Sequence, residues 1–374
     1  MVPIHIWARD PSPETIAQLE RIASRSYVVL RVAAMADAHV AEGVAVGTVF
    51  ATNDVVVPRA LGGDLGCGVA ATKLSVDASL LDRATCERIV AALCKAIPAG
   101  DALHRGRGVD VPDDLFTPAL STSALERTRD ALSRKHLATL GGGNHFLEID
   151  RDAEGEVWLL VHSGSRGLGG AVAAHHVRAA EAHDPDPLAG LSVETREGQS
   201  YLTDQAWALA FARANRDALA DRAKEVIADV LGHDVHALDR IDIHHNFVSL
   251  ERWEDRDRII HRKGAVAVPE GTRAVIPGSM ATASYIVEGL GCALAFGSCS
   301  HGAGRVMTRR EARARVRPAA LSQAMRRIAW PSHLEKKLVE EAPSVYREIG
   351  DVLDAQRDLV ARVRRLEPLA VLKG

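Results

Sequence analysis

Residues 141–167 read GGGNHFLEIDRDAEGEVWLLVHSGSRG. Two β-leaning runs, 145–150 and 156–162, flank Asp152-Ala153-Glu154-Gly155, which has the composition of a turn. This pattern predicts a hairpin centred near 153–154, with His145 opposite His162 and their Cβ atoms about 5 Å apart. Glycine-rich segments lie at both open ends of the hairpin, so its backbone can bring both histidines against a ligand.

The pattern can be followed outward from this hairpin. Ser12-Pro13-Glu14 reads as an N-cap, a first-turn proline and a first-turn acid, so a helix starts there. Residues 27–32, 44–50, 55–57 and 69–76 read as strands. Helical patterns cover 80–97, 121–136, 169–183 and 204–231. Residues 239–250 alternate as one strand, with His245 on one face and His244 and Asn246 on the other. Further strands are expected over 257–268 and 273–277. Helices are expected over 308–328 and, long and amphipathic, over 333–366, with a closing strand at 369–372. Strands and helices alternate without a βα rhythm. The expected fold is therefore α+β, one domain over 1–374, and neither a doubly wound sheet nor a barrel.

Composition narrows the function classes. With 374 residues the chain can bury a large core. Its 47% hydrophobic and 25% charged residues exclude wholesale disorder. No apolar run approaches the roughly 18 residues of a membrane span. The first ten residues carry Arg9 and no apolar h-region, so no secretory signal is expected. The five cysteines contain no CxxC pair, which points to a reducing, cytoplasmic setting. A net charge of −3 argues against nucleic-acid binding through bulk charge, so any such binding must use local positive charge.

Five glycine-bearing or histidine-bearing segments carry chemistry. They are Leu61–Gly68, Gly141–Glu148, Val161–Gly167, Asp242–Phe247 and Gly297–Arg305. Cys67 alone would read as a small buried hydrophobe, and His145 or His162 alone as a core histidine. Taken together, Asp64, Cys67, His145, His162 and His245 form a ligand set. A thiolate with several imidazoles suits zinc, whereas a shared thiolate completed by a carboxylate also suits manganese. His301 lies among small residues, Ser300-His301-Gly302-Ala303-Gly304-Arg305, where an imidazole has room to attack phosphorus. Cys86, Cys94 and Cys292 read as core, and His175-His176 as packing.

These motifs, in this order and across nearly the whole chain, resemble the RtcB family of RNA-splicing ligases. The similarity runs through Asp37-Ala38-His39, Gly63–Gly68, Gly142–Glu148, His162–Gly167, His245-Asn246, Arg262–Ala265, Ile276–Met280, Ser300–Arg305 and Val371–Gly374. The resemblance implies two packed β-sheets ringed by helices. It implies ligation of RNA ending in a 2′,3′-cyclic phosphate or 3′-phosphate to RNA with a 5′-hydroxyl, using GTP and two Mn²⁺ ions, in tRNA splicing or RNA repair. By this resemblance Asp64, Cys67, His145, His162 and His245 hold the metals, with Cys67 bridging, and His301 becomes guanylylated. Asn144, Phe146, Glu148, Ser279, Gly302, Ala303, Gly304, Tyr346 and Lys373 then hold the nucleotide. Asp37, His39 and Asn246 support the site from behind. Arg166, Arg262, Lys263 and Arg305 are candidate RNA contacts, and the arginine-rich run 309–327 is a candidate RNA path. An archease-like activator and a monomeric state are the expected partner and assembly. Two other classes remain open: a binuclear metallophosphoesterase, which would not need His301 or Lys373, and a non-catalytic RNA-binding protein.

Overall fold

A computed structural model describes residues 1–374. The first part of the chain forms β1 (Ile4–Ile6), α1 (Pro13–Ala23), β2 (Val28–His39), β3 (Val46–Thr52), β4 (Val55–Val56), α2 (Pro58–Leu61) and β5 (Gly68–Asp77). Then come α3 (Arg83–Ala96), α4 (Asp113–Phe116), α5 (Ser123–His136), β6 (Phe146–Arg151), β7 (Glu156–Ser163), α6 (Arg166–His183), β8 (Leu191–Ser192) and α7 (Arg196–Leu231). Strands β9 (Ala237–His244), β10 (Asn246–Trp253), β11 (Arg256–Lys263), β12 (Ala265–Ala267), β13 (Arg273–Ile276), β14 (Ser284–Gly289) and β15 (Ser298–Ser300) follow. The chain closes with α8 (Arg309–Arg315), α9 (Pro318–Ala324), α10 (Glu335–Leu338), α11 (Ile349–Ala355) and β16 (Val360–Lys373).

The strands build a seven-stranded sheet, β13-β14-β16-β6-β7-β5-β9, and a five-stranded sheet, β1-β2-β3-β11-β10. One apolar cluster joins them: Met35, Val49 and Ile260 from the second sheet meet Ile276, Val287 and Val360 from the first. The seven-stranded sheet is covered on one face by α3 and α7 through Ile89, Leu93, Leu219 and Ile227. On its other face Leu321 and Met325 of the α9 region pack on Leu160 and Val371. Helix α1 closes the five-stranded sheet through Leu19 and Ile22. The expected α+β architecture of packed sheets with surrounding helices is the observed one. The Ser12 hydroxyl caps α1 by accepting from the Thr15 N–H at 3.2 Å.

Several sequence expectations change; the expected strand 257–268, for one, is split into β11 and β12 in different sheets. The 146–163 hairpin is shifted by one residue, so Phe146, not His145, pairs with His162. The reason is the turn. Asp152 N–H donates to the Glu156 carbonyl at 3.0 Å, leaving a three-residue loop that ends at Gly155 with φ +81°. His145 therefore precedes the strand and reaches His162 from the glycine loop. The run 239–250 is two strands in different sheets, with His245 at the crossing. There the His245 N–H donates to the Cys67 carbonyl and its own carbonyl accepts from Ala265.

A further change is the long helix expected over 333–366. It is a series of short turns, then α11, then β16 in the middle of the seven-stranded sheet. Pro343 removes a helical N–H, and pairing on both edges of β16 outweighs the helix propensity of its Leu, Ala and Arg residues. Likewise 308–328 breaks into α8 and α9 just before Pro318.

One buried ion pair ties α7 to the sheet beneath the crossing. Fully buried Arg216 donates from Nε to Asp242 Oδ1 at 3.0 Å, and from Nη1 to the carbonyls of Gly66 and Ser163 at 3.0 and 3.1 Å. Arg216→Met leaves Asp242 and two carbonyls without this donor. Such a loss costs about 3–5 kcal/mol, so the urea-unfolding midpoint should fall markedly. An unchanged midpoint would remove this role.

Candidate metal and nucleotide site

A cavity of about 1470 Å³ opens at the seam between the two large sheets. Cys67 enters it from the turn leading into β5, His162 from β7, and His245 from the crossing between β9 and β10. His145 and Asp64 approach from the loops before β6 and β5. The Cys67 Sγ lies 3.3 Å from His145 Nε2 and 3.3 Å from His162 Nε2. His145 Nε2 lies 3.0 Å from Asp64 Oδ2. The His162 and His245 ring centroids are 5.1 Å apart, and His245 and His301 are 4.7 Å apart.

These side chains form two groups, Cys67–His162–His245 and Asp64–Cys67–His145. Within each group the ligand atoms lie within 4.8 Å of one another, and Cys67 is common to both. Burial and then the neighbouring rings hold His162 and His245 well below the usual histidine range, so both are neutral and keep a lone pair to donate. Their Nδ1 atoms have no hydrogen-bond partner. Burial, and after it the Asp64 charge, pushes the Cys67 thiol well upward; a bound cation reverses that balance. Imidazole nitrogens and a carboxylate gathered around a shared sulfur fit two divalent cations.

Second contacts steady this set. Arg166 Nη1 lies 3.1 Å from His145 Nδ1, and its side chain folds over Gly141, where any Cβ would collide with the guanidinium. Asn246 donates to the Asp64 carbonyl at 3.1 Å and accepts from Gly264 N–H at 2.8 Å. His244, the neighbour of His245, turns to the Gly66 carbonyl at 2.9 Å and stays out of the cluster.

His301 follows β15 at the far side of the cluster. Its Nδ1 lies 2.6 Å from Asp37 Oδ2 on β2, and its N–H donates to the same oxygen at 3.2 Å. Asp37 is itself fully buried, and its carbonyl meets His39 Nδ1 at 2.8 Å. Gly304 has φ +73°, and a Cβ there would strike the Asp37 carbonyl and Arg347. Gly304 is thus required for close approach to β2.

Asn144, Phe146, Glu148, Ser279, Tyr346 and Lys373 all line the cavity, together with Gly302, Ala303 and Gly304. Lys373 Nζ sits 5.5 Å over the Phe146 ring. Lys263 and Arg305 line it too. Burial pulls the Lys263 ammonium down to about 8, and it donates to the Glu42 carbonyl. Arg262 points elsewhere. It is buried, outside the cavity, and bonds Glu251, Ser249, Ser298 and the Phe296 carbonyl, clamping β10, β11 and β15. Arg166 also lies outside the cavity lining, behind His145.

The comparisons bear on this geometry. The family model for tRNA-splicing ligase RtcB matches residues 18–124 and 116–374. The chain belongs to the RtcB family. It is 32% identical to the RNA-splicing ligase RtcB of Escherichia coli K12, over 100% of this chain and 97% of that protein. It is 31% identical to the RNA-splicing ligase RtcB of Mycobacterium tuberculosis, over 96% of this chain and 100% of that protein. The tRNA-splicing ligase RtcB of Nanoarchaeum equitans is 28% identical, over 100% of this chain and 95% of that protein.

In this RtcB-family chain one residue of the site escaped the sequence reading. Buried Glu341 accepts from Arg305 at 3.0 Å and from the Tyr346 hydroxyl, and it lies 3.2 Å from Lys373 Nζ. It sits inside the stretch 333–366, expected to be one long amphipathic helix. Only the neighbouring proline, Pro343, hinted otherwise. Three of the arginines in the 309–327 run are engaged: Arg309 with Glu340 and Glu341, Arg313 with Glu340, Arg315 with Glu311.

Because Cys67 is shared, Cys67→Ala should reduce binding at both divalent-cation sites, whereas His245→Ala should leave the Asp64–His145 side. Mn²⁺ titration followed by metal analysis reads the stoichiometry. Equal losses in both variants would show that the sulfur is not shared.

Proposed function

We propose that this chain is a GTP-dependent RNA ligase that uses two Mn²⁺ ions and joins a 2′,3′-cyclic phosphate or 3′-phosphate RNA end to a 5′-hydroxyl end through a covalent His301–GMP intermediate. The observation that carries this reading is the position of His301. Its Nδ1 is engaged by buried Asp37 while its ring lies 4.7 Å from that of His245 in the ligand cluster.

An imidazole with a carboxylate at Nδ1 is oriented so that the lone pair of Nε2 faces outward, as in other histidines oriented by a second group. Divalent cations bound by Asp64, Cys67, His145, His162 and His245 would supply Lewis-acid neutralisation of phosphate oxygens. Phe146 and Lys373 offer a stacking face and a cation to the nucleotide. Glu148, at the cavity floor, is the acceptor for the guanine N1–H and N2 amine. His301 attacks the α-phosphorus of GTP, the N–P bond forms, and pyrophosphate leaves. The RNA 3′-phosphate then displaces His301 from GMP, giving an RNA(3′)pp(5′)G end. The 5′-hydroxyl of the second RNA attacks this end and releases GMP. Lys263 and Arg305 face the same space and are the proposed contacts to RNA phosphates. A cytoplasmic location, a role in tRNA splicing or repair, a monomeric state and an archease-like activator belong to the same proposal.

Incubation with α-labelled GTP and Mn²⁺ tests the reading. Acid-labile label should form on the protein, be absent from His301→Ala, and form roughly 10²–10⁴-fold more slowly in Asp37→Asn, the range for loss of general acid–base assistance. Label on His301→Ala, or cyclic-phosphate hydrolysis with no label on the unaltered protein, would overturn it; the second result favours a metallophosphoesterase.

A further inference from the structure

Glu148 and Asp150 lie two residues apart on β6, so both side chains leave the same face of the sheet as Phe146. Phe146 and Glu148 line the cavity, and Asp150 is the next step inward, fully buried. Its cross-strand neighbours are Trp158 on β7 and Pro368 on β16. Neither serves it: the Trp158 indole N–H donates to Asp152 at 3.1 Å, and proline has no N–H. Both oxygens of Asp150 lack a hydrogen-bond donor. The surrounding side chains on that face, among them Leu160, Leu366 and Val371, form one apolar cluster.

The polar group beside Asp150 is the Glu148 carboxyl. From β16, Lys373 acts on Glu148, with Glu341 behind it 3.2 Å from the ammonium. From β14, Ser284 offers its hydroxyl at 3.5 Å. From β7 come Trp158 and Leu160, which do not titrate. Two carboxylates in such a setting cannot both ionise, because their repulsion is unscreened. Burial raises both, and the Glu148 charge raises Asp150 further, which favours Asp150 as the partner that keeps a proton. Its protonated carboxyl then has one acceptor within reach, the Glu148 carboxylate.

We propose that Asp150 is a positioning and specificity-determining residue: it retains a proton, donates it to Glu148, and thereby holds Glu148 as an anion whose free lone pairs face the cavity and select a purine edge bearing two adjacent N–H donors. The inference rests on the reading of Glu148 as the nucleobase acceptor. An ionised Glu148 accepts from the N1–H and N2 amine of guanine and repels the N1 lone pair of adenine. Were the proton on Glu148 instead, that group could donate to adenine N1 and the selection would weaken.

The test uses the full chain with Mn²⁺ and α-labelled GTP or ATP, and compares rates of protein labelling. Asp150→Leu fills the same apolar space but removes the donor, so the GTP-over-ATP preference should fall roughly 10–100-fold, the loss of a hydrogen bond to a charged group. Asp150→Asn keeps a neutral donor and should restore most of that preference. In Glu148→Gln the preference should collapse. An intact preference in Asp150→Leu alongside a collapsed one in Glu148→Gln overturns the role of Asp150 alone. An intact preference in Glu148→Gln overturns the reading of Glu148 itself. A second measurement does not depend on activity. The infrared difference between the unaltered protein and Asp150→Asn at neutral pH should contain a protonated-carboxyl band, and its absence overturns the proposal even if the leucine variant fails to fold.

Discussion

A thiol, a carboxylate and three imidazoles are packed so closely at the seam of this protein that their ligand atoms fall into two groups, each within 4.8 Å. Desolvation there works against the thiolate and against protonated imidazoles alike. The neutral rings of His162 and His245 keep lone pairs free, and a bound cation would add to Arg216 and Arg166 in balancing an ionised sulfur beside them. The rest of the architecture follows from the need to hold that set rigidly. Its members come from turns and strand ends that are clamped by β5, β6, β7 and β9, the most central pairings of the seven-stranded sheet apart from the β9 edge.

The crossing at His245 shows how the clamp works. One residue separates β9, in the seven-stranded sheet, from β10, in the five-stranded sheet. His245 cannot shift without breaking its bonds to the Cys67 carbonyl and the Ala265 N–H, and Asn246 ties the same point to the Asp64 turn. Arg216 then locks the carbonyls of Gly66 and Ser163, each next to a ligand-bearing turn or strand. A site at the junction of two sheets inherits the stiffness of both, which is what prepositioned chemistry requires.

Much of this was legible in the sequence because glycines and chemically active residues cluster in short motifs whose function constrains backbone and side chain together. The N-cap at Ser12, the motifs whose Asp64, Cys67, His145, His162 and His245 converge, and the cavity-facing Gly302–Gly304 were readable on local grounds. The failures share a cause: each depended on pairing with distant chain. The hairpin register turned on a single loop residue, which moved His145 out of the strand yet left its ring 5.3 Å from His162. Residues 360–366 carry helix-favouring side chains, and their place between β14 and β6 makes them one strand with the expected 369–372. Glu341 and Asp150 drew no notice in the sequence because nothing local says that three-dimensional neighbours will bury them. Arg262 looked like an RNA contact for the opposite reason: it lies in a stretch that resembles a family motif, but its guanidinium is spent on Glu251.

Charge placement explains how a chain with net charge −3 can serve polyanionic ligands. The cationic side chains at the cavity already hold protein acceptors: Lys263 the Glu42 carbonyl, Arg347 the carbonyls of Asp37 and Ala38, and Arg305 and Lys373 the buried Glu341. Such groups are oriented before any ligand arrives, so they lose little on reorganisation. They also bring little unbalanced positive charge, since Glu341 alone offsets several of them. On the proposed reading, then, attraction for a triphosphate or an RNA end is assigned mainly to divalent cations at the Cys67 cluster, while the fixed arginines and lysines set direction and distance. Among the arginines after His301, Arg309, Arg313 and Arg315 are tied to Glu340, Glu341 and Glu311, and Arg309 lines the cavity.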